Sequence, residues 1–255
     1  MSDRESTAAM PSAIILCGGQ GLRLRSVTSN SPKAMARIGN RPFLELLLHQ
    51  LRRHGFERVI LAVGYQKELI GSHFGERSAG LELEYSAEST PLGTGGAMRD
   101  AAALVDSDPV LVMNGDSYTD LDLRRLVTEH RNAQADVTIA VVPADGRDDC
   151  GNIQVDQNGN LALFEEKRRV DGPQYMNAGV YVVSQRVVGG MPTGSRISLE
   201  NELFPRWLRA GKRVRAFVHS GECIDIGTPE RYRSAQRILA EAELGGAAQG
   251  GVKQL

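Results

Sequence analysis

Ala13–Lys33 reads AIILCGGQGLRLRSVTSNSPK: a short apolar run, then a glycine cluster, then three cations within one loop. Ala13 to Cys17 has the length and character of a buried strand. Gly18, Gly19 and Gly21 let the backbone turn sharply after it and bring N–H groups against an anion with no Cβ in the way. Arg23, Arg25 and Lys33 then offset charge that amides only partly balance. This is the outline of a phosphate site, but of neither common kind. The Walker loop needs a Lys-Ser/Thr pair after its last glycine, and the dinucleotide fingerprint needs a third glycine where this chain has Leu24. On the glycines alone, a tight turn without a ligand stays open; Arg23 and Lys33 weigh against it.

Outward from this stretch, strands alternate with helices. Asn40 and Pro42 mark a helix start, and Phe43, Leu44, Leu47, Leu48 and Leu51 recur at helical spacing up to Gly55. Arg58–Val63 (RVILAV) reads as a buried strand, Gln66–Phe74 as a short helix closed by Gly75, and Leu81–Tyr85 as an alternating strand. This order predicts an α/β fold with a largely parallel sheet, right-handed crossovers and ligands at the carboxyl ends of the strands. Glu88–Gly96 (ESTPLGTGG) opens onto a helix over 97–104. Its three glycines in four residues cost helix stability, which favours close approach of a ligand as their reason.

Pro109–Met113 (PVLVM) is a strand that delivers Asn114-Gly115-Asp116, where Asp116 is either a cation ligand or part of an Asx turn. Leu121–His130 reads as a helix and Asp136–Val142 as a strand. Asn152–Val155 and Leu161–Glu165 form a hairpin signal around a two-residue type I′ turn at Asn158-Gly159. Ser198-Leu199-Glu200 precedes an amphipathic helix through Leu203, Phe204, Trp207 and Leu208, with Asn201 standing where a capping box needs an acid. After the strand Val214–Val218, Asp225 lies between apolar neighbours, where an unpaired carboxylate is costly and a metal ion is the expected partner. A last helix spans 230–243, and Gly245, Gly246, Gly250 and Gly251 predict a loose tail.

GGQGLRL followed by SPKAM resembles the signature of the sugar-1-phosphate nucleotidylyltransferases, usually GGxGTRL with a downstream PK. Leu22 replaces the common Thr, and Cys17 a frequent Ala. PLGTGGA, NGD, a Glu-Lys pair before NAG, and DIGTP follow in family order over roughly residues 13–240. The resemblance implies a Rossmann-like three-layer α/β/α fold with a mixed, mostly parallel central sheet. The expected domain is 13–243, mainly a nucleotide half over 13–142 and a sugar-phosphate half over 143–243, between flexible tails at 1–12 and 244–255.

The resemblance also implies roles. Leu16, Cys17, Gly18, Gly19, Gly21, Glu88, Gly93 and Thr94 would bind the nucleotide, Arg23 and Lys33 would offset triphosphate charge, and Asp116 and Asp225 would hold Mg²⁺. Lys167 would hold the sugar phosphate, with Asn114, Gly151, Glu166, Asn177 and Glu200 at the sugar. For Glu200, a plain first-turn glutamate favoured by the helix dipole stays open. The implied reaction is attack of a sugar 1-phosphate oxygen on the α-phosphorus of a nucleoside triphosphate, giving an NDP-sugar and pyrophosphate. Glu88 points to GTP, because a carboxylate offers only acceptors and guanine presents adjacent N1–H and 2-amino donors; a solvated loop glutamate is the other reading. The compact length, with PLGTGGA and SLENELFP together, is most similar to the guanylyltransferases of D-glycero-D-manno-heptose 1-phosphate, then to those of mannose 1-phosphate.

A chain of 255 residues allows one sizeable core, and a net charge of -1 gives no support for nucleic-acid or membrane partners, so small molecules are expected. Three scattered cysteines, Cys17, Cys150 and Cys223, with no CxxC pair, suit a reducing cytoplasm. MSDRESTAAMPS lacks the apolar core of a signal peptide, and no run is long enough to span a membrane. A homodimer is the default assembly on general frequency. Two other classes compete: a non-catalytic nucleotide-sugar sensor on the same fold, which could dispense with Arg23, Lys33 or one metal aspartate, and a dinucleotide oxidoreductase, whose third glycine is missing.

Overall fold

The strand that opens the glycine loop, β1 (Ala13–Leu16), lies at the centre of the sheet in a computed structural model that describes residues 9–19, 21–24, 31–144, 152–165 and 174–249. Single 3-10 turns at Leu22–Leu24 and Lys33–Met35 lead to a small ladder of β2 (Arg37–Ile38) and β3 (Arg41–Pro42). Then come α1 (Phe43–Arg53), β4 (Arg58–Val63), α2 (Lys67–Phe74), β5 (Arg77–Ser78), β6 (Leu81–Ala87), α3 (Gly93–Ala102), β7 (Val110–Asn114), β8 (Ser117–Thr119) and α4 (Leu123–Asn132). The remainder holds β9 (Val137–Pro143), β10 (Asn152–Val155), β11 (Leu161–Glu165), β12 (Tyr175–Val183), α5 (Gln185–Val188), a π-helical turn at Leu199–Leu203, α6 (Phe204–Arg209), β13 (Val214–Val218), β14 (Cys223–Asp225) and α7 (Pro229–Gln249).

The central ladder runs β7-β1-β4-β6, all parallel. β12 continues it antiparallel to β7, β9 and β10 both pair with β12, and β13 lies parallel to β9. Strand side chains alternate between two cores, as a pleated backbone requires. Ala13, Ile15, Val59, Leu61 and Met113 meet Phe43, Leu47 and Leu51 of α1 and Leu126 of α4 on one face. Ile14, Ile60 and Val112 meet Met98 of α3 and Phe204 and Trp207 of α6 on the other. Helices thus cover both faces of a mixed sheet, the expected Rossmann-like three-layer form. The chain proceeds from β1 to β4 and β6 on one side, then returns to β7 on the other. That switch opens a crevice above the carboxyl ends of β1 and β7, where Leu16 and Asn114 are register partners.

Several local expectations are corrected. In the β10–β11 hairpin only Gly159 takes a positive φ (77°), whereas a type I′ turn needs two such residues. The Asp156 amide bonds Asn160 O (2.9 Å), closing a longer loop whose amides at Asn158 and Asn160 donate to the Asp156 carboxylate (both 2.8 Å). The helix expected to end at Glu243 continues to Gln249 through Gly245 and Gly246. Each glycine costs about 1 kcal/mol in a helix, but elongation adds one hydrogen bond per residue, and Ala247 and Ala248 favour it. At the other end, residues 9–12 are docked rather than loose: Ser12 O accepts from Leu111 N (3.2 Å), and Ala9 O from Arg131 (3.1 Å). The capping acid missing at 201 is Glu202, whose carboxylate accepts from Ser198 N (3.0 Å) because the first turn is π-helical and one residue longer.

His130 is 3% exposed, with Thr138 Oγ1 at 2.9 Å from Nδ1 and Ser184 Oγ at 3.3 Å from Nε2. Burial pushes its imidazole down to about 4, with Asp108 and Asp136 opposing and Arg186 and Arg131 adding to the fall. The unfolded chain therefore takes up a proton at this residue below about pH 6.5 while the native one does not. Its contribution to stability is present at neutral pH and is lost as pH falls from about 6.5 through 4. Urea unfolding midpoints should decline over that window, and His130→Gln should flatten the decline.

Candidate active site

The crevice is a cleft of about 940 Å³ that gathers Leu16, Cys17, Gly18, Gly19, Gly21, Arg23 and Lys33 with Glu88, Gly93, Thr94, Asn114 and Asp116. The end of β1 is pinned on both sides, Cys17 N to Ala62 O (2.7 Å) and Gly115 N to Leu16 O (3.0 Å). Gly21 takes a φ of 57°, and Leu24, with its amide on Gly21 O (2.9 Å) and its side chain 1% exposed, anchors the following turn. Arg23 is left exposed at the cleft. A Cβ on Gly19 would meet nothing within 4 Å, so the backbone there faces open space. Burial, then the neighbouring Asp116, pushes the Cys17 thiol far up, so it stays protonated beneath the loop.

Glu88, at the end of β6, lies in the cleft wall. A Cβ on Gly18 or Gly64 would sit 2.7 or 2.6 Å from its Oε1, so in its present position the carboxylate packs against both glycines. Its Oε2 accepts from Leu92 N at 2.9 Å, which braces the loop that follows. Burial raises its pKa, the Leu92 amide opposes this, and Asp100 adds to it.

The glycines at the start of α3 have a different reason from the one expected. A Cβ on Gly93 would lie 2.7 Å from Ile197 O, on Gly95 2.6 Å from Leu203 Cδ1, and on Gly96 2.6 Å from Ser195 O. Gly95 N (2.9 Å) and Gly96 N (3.3 Å) donate to Ile197 O. The helix entrance is closed by the chain's own 195–203 segment, a contact some hundred residues distant in sequence. Gly93 and Thr94 still line the cleft.

Asp116 and Asp225 stand on adjoining elements: Asp116 just precedes β8, and Asp225 ends β14, paired with Ser117. Asp116 forms an ion pair with Lys33. Asp225 accepts both oxygens' bonds from Arg231 Nη1 (3.0 and 2.9 Å) and one from Gly227 N (2.9 Å). The partner expected of a metal ion at Asp225 is instead Arg231, in the first turn of α7. A Cβ on Gly227 would sit 2.8 Å from Asp225 Oδ1 and 3.6 Å from Lys33 Nζ, so the ammonium lies near both acids. Among the described residues no three His, Cys, Asp or Glu side chains cluster as ligands. Two carboxylates that already face cations do fit a hard divalent ion, which takes one or two protein oxygens and completes its shell elsewhere.

Behind the cleft, the buried Tyr181 hydroxyl accepts from Asn177 Nδ2 (2.7 Å) and lies 3.4 Å from both Asn114 Nδ2 and Glu200 Oε1. Burial and Glu200 raise its pKa well above the ordinary range. Asn177 Oδ1 accepts from Gly179 N (2.9 Å), so this amide shapes the bulge where β12 shifts register. Asn177 and Glu200 are thus joined through a tyrosine that sequence reasoning missed. Arg196 and Tyr65, also missed, line the cleft itself. Neither stands in a pattern that marks it. Gly151, Glu166 and Lys167 lie outside the described residues.

The chain belongs to the nucleotidyl transferase family, which its residues 12–242 match. The class of enzyme that fold, cleft and family define is a sugar-1-phosphate nucleotidylyltransferase. It is similar to the D-glycero-alpha-D-manno-heptose 1-phosphate guanylyltransferase of Aneurinibacillus thermoaerophilus, 36% identical over 89% of this chain and 97% of that one. It is also 36% identical to the mannose-1-phosphate guanylyltransferase of Mycobacterium tuberculosis, covering 86% of this chain but 62% of that one. Among solved structures, HddC from Yersinia pseudotuberculosis complexed with GMP-PN has a TM-score of 0.79 and 30% identity, over 90% of this chain and 100% of that one.

If the protein's own packing requires the α3 glycines, replacing one must cost stability with no ligand present. Gly93 takes a φ of 71° against Ile197 O. Gly93→Ala should lower ligand-free stability by about 1–3 kcal/mol in urea unfolding. An unchanged midpoint would return these glycines to a ligand's account.

Proposed function

We propose that the protein transfers the GMP group of GTP to a sugar 1-phosphate, with D-glycero-D-manno-heptose 1-phosphate the preferred acceptor and mannose 1-phosphate the alternative, releasing pyrophosphate. One observation carries this reading: the glycine loop, the Lys33–Asp116 pair and the Glu88 carboxylate converge in a single cleft at the switch point of the sheet. The similarity to two guanylyltransferases, and to a structure complexed with GMP-PN, supports the choice of nucleotide. The buried thiol of Cys17 fits a reducing cytoplasm.

In the reaction, a phosphate oxygen of the sugar 1-phosphate forms a bond to the α-phosphorus, and the bond from that phosphorus to the bridging oxygen of the β-phosphate breaks. Pyrophosphate leaves with the electron pair, and no covalent enzyme intermediate is needed. Catalysis is positioning and charge stabilisation. The loop from Leu16 to Gly21 binds the nucleotide's phosphates and base side, with Arg23 and Lys33 offsetting triphosphate charge. Asp116 and Asp225 would hold a divalent cation, Mg²⁺ by their oxygen donors, which neutralises phosphate charge when bound. On the family's pattern Lys167 would orient the acceptor phosphate, while Gly151, Glu166, Asn114 and Asn177 would contact the sugar. Glu88 reads guanine: Oε2 holds the Leu92 amide but keeps a lone pair, and the carboxylate lines the cleft.

Pyrophosphate release tests this, crossing the common nucleoside triphosphates with heptose, mannose, glucose and N-acetylglucosamine 1-phosphates. Release confined to GTP with heptose or mannose 1-phosphate is expected; silence throughout, with nucleotide-sugar binding intact, would point to a sensor. Glu88→Gln keeps an acceptor for Leu92 N and should raise the KM for GTP selectively, an equal loss for every nucleotide being the contrary result. Because burial raises the pKa of Glu88, GTP use should weaken on acidification at a higher pH than an ordinary glutamate would set. Asp225→Asn should cost about a hundredfold to a thousandfold in kcat. Near-normal turnover in Mg²⁺ would remove Asp225 from the cation site.

A further inference from the structure

We propose that Glu200 is a positioning residue for the nucleotide loop, holding Thr94 and with it residues 92–96 against the cleft, rather than a ligand of the sugar. Thr94 Oγ1 donates to Glu200 Oε2 at 2.7 Å and accepts from Leu199 N at 2.8 Å. A hydroxyl has one proton, so this donation commits it to Glu200. The carboxylate is itself braced. Ser198 Oγ donates to the same oxygen at 3.0 Å, and Tyr181 OH lies 3.4 Å from Oε1. Asn177 Nδ2 donates to that tyrosine oxygen at 2.7 Å, which turns the phenolic proton towards Glu200. Three donors on two oxygens leave this carboxylate engaged with the protein. Thr94 borders the cleft, whereas Glu200 is not among the described residues lining it.

The main chain repeats the tie. Gly95 N donates to Ile197 O and Ile197 N to Leu92 O, both at 2.9 Å. At its other end the same loop is held by Leu92 N on Glu88 Oε2. The loop is therefore clamped by a carboxylate at each end, one facing the cleft and one behind it. Cutting the rear clamp at Thr94 returns conformational freedom that nucleotide binding must then remove, while Glu200 keeps its contact with Tyr181 and, through it, Asn177 and Asn114.

This inference rests on the nucleotidyl-transfer reading, and its test separates the two. Amide hydrogen exchange over residues 92–97 is measured on the full chain without substrate, for Thr94→Val, Glu200→Ala, the double variant and Thr94→Ser. Exchange about tenfold faster in each single variant is expected, with the double variant no faster than either and Thr94→Ser close to wild type. In turnover, the KM for the nucleoside triphosphate should rise about tenfold in Thr94→Val and Glu200→Ala, and in Thr94→Val, which leaves the Glu200–Tyr181 contact in place, that for the sugar 1-phosphate should stay within about twofold. Unchanged exchange overturns the proposal. So does a raised sugar 1-phosphate KM with the nucleotide KM unmoved, which would make Glu200 a sugar ligand. An enzyme silent with every triphosphate would refute the reaction, and the exchange arm would still decide the tie.

Discussion

The cleft hangs on the way β1 ends. Its four residues are held in parallel between β4 and β7, and the last two backbone bonds, Cys17 N to Ala62 O and Gly115 N to Leu16 O, tie the glycine loop and the NGD segment to one point. Both loops leave the sheet at the same level because their strands share a register. The glycines are then free to turn towards the cleft while Leu24 fastens the loop's far end in the core. A one-residue slip of β1 would reverse Ile14 and Ile15 between the two cores and carry every loop atom off position.

Charge in the cleft and beside it, where Asp225 and Arg231 stand, is organised before any substrate arrives. Lys33 faces Asp116, and Arg231 faces Asp225, so the acids a cation would use and one of the cations a triphosphate would use begin as each other's counter-ions. Paired charges avoid the penalty of isolated ones in a partly enclosed site. Binding of anionic and cationic ligands then exchanges partners instead of creating new charge contacts from bare groups. Glu88 works differently: its carboxylate is packed over two glycines and bonded to an amide, and its position is fixed by shape as much as by charge.

What the residues reveal locally, they reveal well. AIIL, VILAV and VLVM are uninterrupted apolar runs, and each forms most or all of a central strand. The cleft's glycine loop, Lys33, Glu88 and Asp116 were legible because each lies directly at the end of such a strand. The long strand β12 was not, since Asn177 and Gly179 interrupt its apolar pattern at the bulge. Neither were the pairing of Arg231 with Asp225, the closure of α3 by Ile197, or the hydroxyl of Tyr181. Those depend on segments brought together only by the fold, and no spacing within one segment encodes them. The glycines of PLGTGG show the same limit: their presence demanded a close approach, but only the structure identifies Ile197, Leu203 and Ser195 as what approaches.

β12 has a further consequence. Near its carboxyl end the same residues bond β7, which delivers Asn114 to the cleft, on one side and β9 on the other, with Tyr181 and Val182 registered to both. The strand that delivers Asn114 and the strand β9 beyond β12 therefore belong to one continuous ladder. A hinge between them would have to break or twist that ladder, which makes closure of two rigid lobes costly. Segments at the rim, which lie outside the ladder, are the cheaper place for any adjustment to substrates.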